Sequence, residues 1–186
     1  MIKTVKKIIS YIMVCVLFLS MCIPCEAAQT STATASDANA TTGFPQITST
    51  SAIIMDAQSG QIIYEKNSHT RQYPASITKI MTAYLAIKNG DLNSTITMSD
   101  AAVWGIDRNS SHIALDVGEE ISMSDALYAV MLMSANEAAW AIAEQVSGSL
   151  ENFVQLMNDT AQSLGCKDTH FTNANGLHDP NHYTTA

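Results

Sequence analysis

Four side chains in two short strings set the chemical question. In residues 74–86, PASITKIMTAYLA, Ser76 and Lys79 stand three apart at the start of an apolar run. Further along, Ser134 and Asn136 sit in SAN, inside an otherwise apolar helical stretch. A serine hydroxyl is a poor nucleophile until a neighbour takes its proton. On a helix, residues three apart share a face, so Lys79 can reach Ser76. A helix N-terminus carries partial positive charge and favours negative charge developing on or beside that serine. Lysine serves as a base only when burial or a nearby cation lowers its pKa from about 10.4. The competing reading is plain capping, with Ser76 ending a turn and Lys79 lying along the surface. Ser-x-x-Lys alone is weak, since chance supplies about one in a chain of this length. Ser and Asn in the second string compete with helical hydrogen bonds. They mark either a simple junction between helices or a break that aims a hydroxyl and a carboxamide into a cleft.

The elements that must hold these groups are legible from pattern. SAIIM and QIIYEK flank Asp56, Ser59 and Gly60, which predicts a β-hairpin over residues 51–66. Pro74 precedes a helix expected to end near Lys88-Asn89-Gly90. Its apolar residues fall on most sides, which suggests a buried helix. Ser122 and Asp125 form a capping-box pattern opening a helix. That helix breaks at Ser134-Ala135-Asn136, resumes, and closes at Gly148, and a further helix spans 149–164. The methionines of ALYAVMLM read as core filler, Trp104 and Trp140 as packing residues, and Cys166 as a buried small residue.

The first stretch has a different character. MIKTVKK is basic, the run after it is apolar up to Pro24, and Cys25 and Ala27 are small where a signal peptidase cuts. Residues 1–27 therefore read as a secretory signal peptide, with an uncleaved membrane anchor as the alternative. Residues 28–43 are almost all small and polar and read as a flexible spacer. The folded part is expected over 44–186. Loss of Lys3, Lys6, Lys7 and Glu26 takes the nine basic and seventeen acidic residues to six and sixteen, so the net charge moves from −8 to −10. An acidic domain has no electrostatic footprint for nucleic acid. Cys166 would then be the lone cysteine, which excludes a disulfide within one chain.

YPASITKIMTAYLAI, LMSANEAA and FTNANGLHDPNHYTTA together resemble the D-alanyl-D-alanine carboxypeptidases, the low-molecular-mass penicillin-binding proteins, over about residues 44–186. The resemblance implies the α+β fold of the β-lactamase and transpeptidase group: an antiparallel sheet with flanking helices and a helical lobe. It implies Ser76 as the acylated nucleophile, Lys79 as general base, Ser134 as proton relay and Asn136 as the grip on the peptide amide. It also implies a peptidoglycan stem peptide ending in D-Ala-D-Ala as substrate, β-lactams as covalent inhibitors, no cofactor, and a site outside the cytoplasm. The family's third motif, Lys-Thr-Gly or Lys-Ser-Gly on a later strand, is absent, and Lys88-Asn89-Gly90 lies at a helix end instead. The chain thus reads as the N-terminal part of a longer enzyme, incomplete at its C-terminus.

Three rivals are weighed against this. A metal site at His178 and His182 is disfavoured because Pro180 prevents a helix from placing both on one face and no third ligand is evident. A serine β-lactamase usually carries Ser-Asp-Asn, where this chain has Ala135. A non-catalytic penicillin- or peptidoglycan-binding fragment is the rival from outside enzymology.

Overall fold

The computed structural model describes residues 47–186. The expected signal peptide and spacer lie outside the described residues. Two strands come first, β1 (Ala52–Met55) and β2 (Ile62–Lys66). They pair antiparallel, Ala52 opposite Lys66 and Ile54 opposite Tyr64, with an irregularity between Ile54 and Met55. The turn is built by Asp56, whose carboxylate accepts the Ser59 N–H at 2.7 Å and the Ser59 hydroxyl at 2.7 Å. Asp and Ser make such turns because a short side-chain acceptor can replace a backbone one.

A 3₁₀ turn, Ala75–Ile77, leads into α1 (Thr78–Asn89). Next come β3 (Thr95–Thr97), the short α2 (Asp100–Trp104) and β4 (Glu120–Ser122), with β3 and β4 forming a second two-stranded ribbon. Ser122 caps α3 (Met123–Met133), accepting the Asp125 N–H at 3.0 Å. Ser134 then ends α3 in left-handed backbone, φ 57°, Ala135 is extended, and α4 (Asn136–Ser147) begins. The string that interrupts the helical pattern is therefore a sharp corner. Gly148, at φ 76°, closes α4, and α5 (Leu150–Ser163) follows.

Helix α4 is the hub. Its Ala138, Ala139, Ala141, Ile142 and Ala143 are buried, and small side chains let α1, α3 and α5 approach it closely. One core cluster joins α4 to Ile96, Met98, Val103, Met123 and Val130, and a second joins it to Leu85, Phe153, Met157 and Phe171. After α5 the chain runs irregularly back over α1. It is fastened by the bridge between Gln72 and Thr184, whose N–H···O distances are 2.7 and 2.9 Å.

Several expectations need correction. Helix α1 is not buried all round: it turns Thr78, Lys79, Thr82 and Leu85 inward and leaves Ile80 61% exposed, with Tyr84 and Ile87 also exposed. The polar residues face inward because each finds a hydrogen-bond partner there. In α3, Met131, Leu132 and Met133 are exposed, since only the side carrying Ala126, Ala129 and Val130 meets α4. A helix apolar on every side gives no sequence signal for which face is covered. Trp104 is 61% exposed, with the Arg108 guanidinium 5.4 Å from its ring, because α2 buries Ala102 and Val103 instead. Trp140 does pack against the core. Cys166 is exposed, its N–H held by Ala161 O at 2.9 Å in the turn that follows α5.

Candidate active site

Ser76 lies in the 3₁₀ turn and Lys79 one turn further, in α1. The backbone before the serine is bent: Ala75 has φ 48°, a left-handed value that costs a non-glycine residue about 1–3 kcal/mol. Gly176 supports the bend from outside. A Cβ there would fall 1.8 Å from the Ala75 carbonyl oxygen and 3.0 Å from Thr78 Oγ1, and φ is 85°. Gly176→Ala should therefore push the 173–177 loop off the serine turn. We expect a loss of stability of at least about 2–3 kcal/mol, seen as a lowered thermal midpoint. A variant melting with the unsubstituted protein would show that this contact does not hold the turn.

The four residues singled out in the sequence come together. Ser134 Oγ donates to Ser76 Oγ at 2.9 Å, and Lys79 Nζ lies 3.2 Å from the same oxygen. Lys79 is 2% exposed, and Nζ also donates to Asn136 Oδ1 at 2.6 Å and to Asn175 O at 2.7 Å. Burial draws its pKa down to about 8, opposed by the charge of Glu137. A neutral amine has two hydrogens and one lone pair. The two short bonds occupy the hydrogens, which leaves the lone pair for the Ser76 hydroxyl. That arrangement can take a proton from Ser76 and pass one through Ser134. Asn136 is buried, and both ends of its carboxamide are engaged, Nδ2 donating to Ser110 Oγ at 2.8 Å.

Pattern reading missed the residues that hold this cluster in place. His182, considered above only as a metal ligand, is 2% exposed. Its Nδ1 accepts the Thr172 N–H at 3.1 Å, so the ring's hydrogen is on Nε2, which donates to Thr78 Oγ1 at 2.7 Å. Burial lowers its pKa, which keeps the ring neutral. Thr82 Oγ1 donates to Ala174 O at 2.6 Å. Asn173 Oδ1 accepts the Gly176 N–H at 2.6 Å and shapes the loop that carries the Asn175 carbonyl. The run of Asn and Gly in TNANG was the available signal for a tight turn, but not for what it faces.

The description D-alanyl-D-alanine carboxypeptidase belongs to the family model that matches residues 36–186. The chain belongs to this family. Among curated relatives, D-alanyl-D-alanine carboxypeptidase DacA of Haemophilus influenzae is 43% identical over 150 residues, 76% of this chain and 37% of the relative. DacF of Bacillus subtilis is 40% identical over 139 residues, 73% of this chain and 36% of the relative. Penicillin binding protein 5 from Haemophilus influenzae superposes with a TM-score of 0.73 at 39% identity, over 78% of this chain and 44% of that one. A mutant of the Streptomyces K15 DD-transpeptidase gives 0.71 at 29% identity, over 76% of this chain and 58% of that one. The chain thus has the mixed α+β fold of the penicillin-binding and DD-transpeptidase enzymes, and spans a little over a third of the length of the two curated carboxypeptidases.

Proposed function

We propose that this carboxypeptidase-family chain carries the nucleophile half of a serine-type D-alanyl-D-alanine carboxypeptidase. The observation that carries the reading is Ser76 Oγ held between Lys79 Nζ and Ser134 Oγ, 3.2 and 2.9 Å away. Neutral Lys79 takes the Ser76 proton as Oγ bonds to the carbonyl carbon of the penultimate D-alanine. Negative charge grows on the carbonyl oxygen beside the positive end of the helical run that begins at Ala75. The C–N bond then breaks, and Ser134 Oγ delivers a proton to the departing amine while Lys79 replenishes it. Water hydrolyses the Ser76 ester and restores the hydroxyl. A penicillin enters by the same attack, with its ring amide in place of the peptide bond, so its product stays tethered. Asn136 grips the substrate amide when a peptide carbonyl takes its Nδ2–H from Ser110.

The substrate is a peptidoglycan stem peptide ending in D-Ala-D-Ala, and the work is done in the cell wall, outside the cytoplasmic membrane. The basic-apolar-small order of residues 1–27 supports export. Among the described residues no helix is long and apolar enough to cross a membrane. The test is peptide mapping of the intact protein after penicillin treatment, together with D-alanine release from a diacyl tripeptide ending in D-Ala-D-Ala. We expect the adduct mass on the peptide containing Ser76. An adduct elsewhere, or none on Ser76 in a folded protein, would overturn the assignment.

A further inference from the structure

Directly after Asn136 the chain buries a carboxylate. Glu137 is 0% exposed. Its Oε1 accepts the Ile113 N–H at 2.6 Å, and its Oε2, also buried, has no hydrogen-bond partner. A buried carboxylate oxygen with nothing bonded to it is costly unless another charge offsets it. The same loop is tied to Asn136 at two further points. The Asn136 N–H donates to Ser111 O at 2.9 Å, and Asn136 Nδ2 reaches Ser110 Oγ. Glu137 lies in the first turn of α4, where the helix end favours negative charge, and its field reaches Lys79 across the α1–α4 packing.

We infer that Glu137 is a positioning residue of this site, anchoring through Ile113 the loop that grips Asn136 and placing a buried carboxylate next in the chain to the residue whose carboxamide binds the Lys79 amine. This rests on Lys79 being the base. Other ionisable groups on the surrounding elements have partners of their own, among them Glu144 of α4, which accepts from Ser99 Oγ and Trp140 Nε1. His182 is spent on Thr78 and Thr172. In the loop, exposed Asp107 accepts the Asn109 N–H, Arg108 stacks on Trp104, and His112 Nδ1 accepts the Ala114 N–H. Asp125 of α3 is taken up at its own helix cap, and Asp159 of α5 accepts from Gln155 at the surface. Among the described residues, the Glu137 charge counters the effect of burial on Lys79.

The test is a pH titration of the Lys79 ¹³Cε resonance in lysine-labelled intact protein, with Lys79→Ala giving the assignment. Glu137→Gln keeps an acceptor for Ile113 and removes the charge. Its Lys79 midpoint should fall below that of the unsubstituted protein by about half a pH unit or more. Glu137→Asp keeps the charge and should stay nearer the original midpoint, which a merely structural role would not require. An unmoved midpoint in Glu137→Gln overturns the inference. If Glu137→Gln does not fold, the Glu137 ¹³Cδ resonance of the unsubstituted protein decides. It must shift through the Lys79 midpoint, and a flat response overturns the inference equally. Neither readout needs acylation. An unmoved Lys79 midpoint with a normal adduct on Ser76 would therefore reject this inference alone.

Discussion

Ser76→Ala is expected to leave the protein with no covalent label from fluorescent penicillin, at any reagent concentration or time. Among the described residues no other hydroxyl has both a lysine amine and a second hydroxyl within hydrogen-bond reach. Replacing the nucleophile removes the acyl-enzyme altogether, and in enzymes of this kind loss of that residue costs on the order of a millionfold in turnover. The fold should hardly notice. Ser76 is exposed, Lys79 keeps its bonds to Asn136 and Asn175, and Ser134 loses only this one partner, so the thermal midpoint should correspond to a change within about 1 kcal/mol. Labelling on a denaturing gel is the measurement. A band as strong as that of the unsubstituted protein would mean the nucleophile is elsewhere.

Lys79→Ala has the next largest effect, and it separates the base from the nucleophile. Ser76 remains, so acylation should persist but slow by about 10²- to 10⁴-fold, the usual worth of a positioned general base. The pH dependence sharpens the test. In the unsubstituted protein only the neutral amine can accept the serine proton. With a pKa near 8, the acylation rate constant should fall about tenfold for each pH unit below that value and level off above it. Lys79→Ala should lose this limb. The substitution also strips the buried Asn136 Oδ1 and Asn175 O of a donor, which costs about 1–3 kcal/mol each unless water enters. Acylation rates should therefore be compared below the variant's thermal midpoint. A variant that acylates at the normal rate, with the limb intact, would show that another group takes the proton.

Sequence alone determined the pieces whose physics is local. Asp56, Ser59 and Gly60 specify the turn between β1 and β2 through their own backbone contacts. Ser122 and Ser149 cap their helices with their own hydroxyls, and Ser134 and Asn136 compete with helical hydrogen bonds where α3 ends. The three-residue spacing puts Ser76 and Lys79 on one face before any tertiary contact forms. Tertiary structure decided everything that joins segments far apart in the chain. The inward turn of α1, with Thr78, Lys79 and Thr82 buried and Ile80 outside, depends on acceptors at Asn136, Ala174 and Asn175 and on the ring of His182. None of these lies within fifty residues of the lysine. The same holds for Glu137, an ordinary acidic residue on a helix until folding brings Ile113 and the Lys79 field to it. Hydrophobic periodicity predicts which residues prefer to leave water, but it cannot show where a buried polar group will find its partner. A lysine is held inside by hydrogen bonds whose other ends are set by the fold.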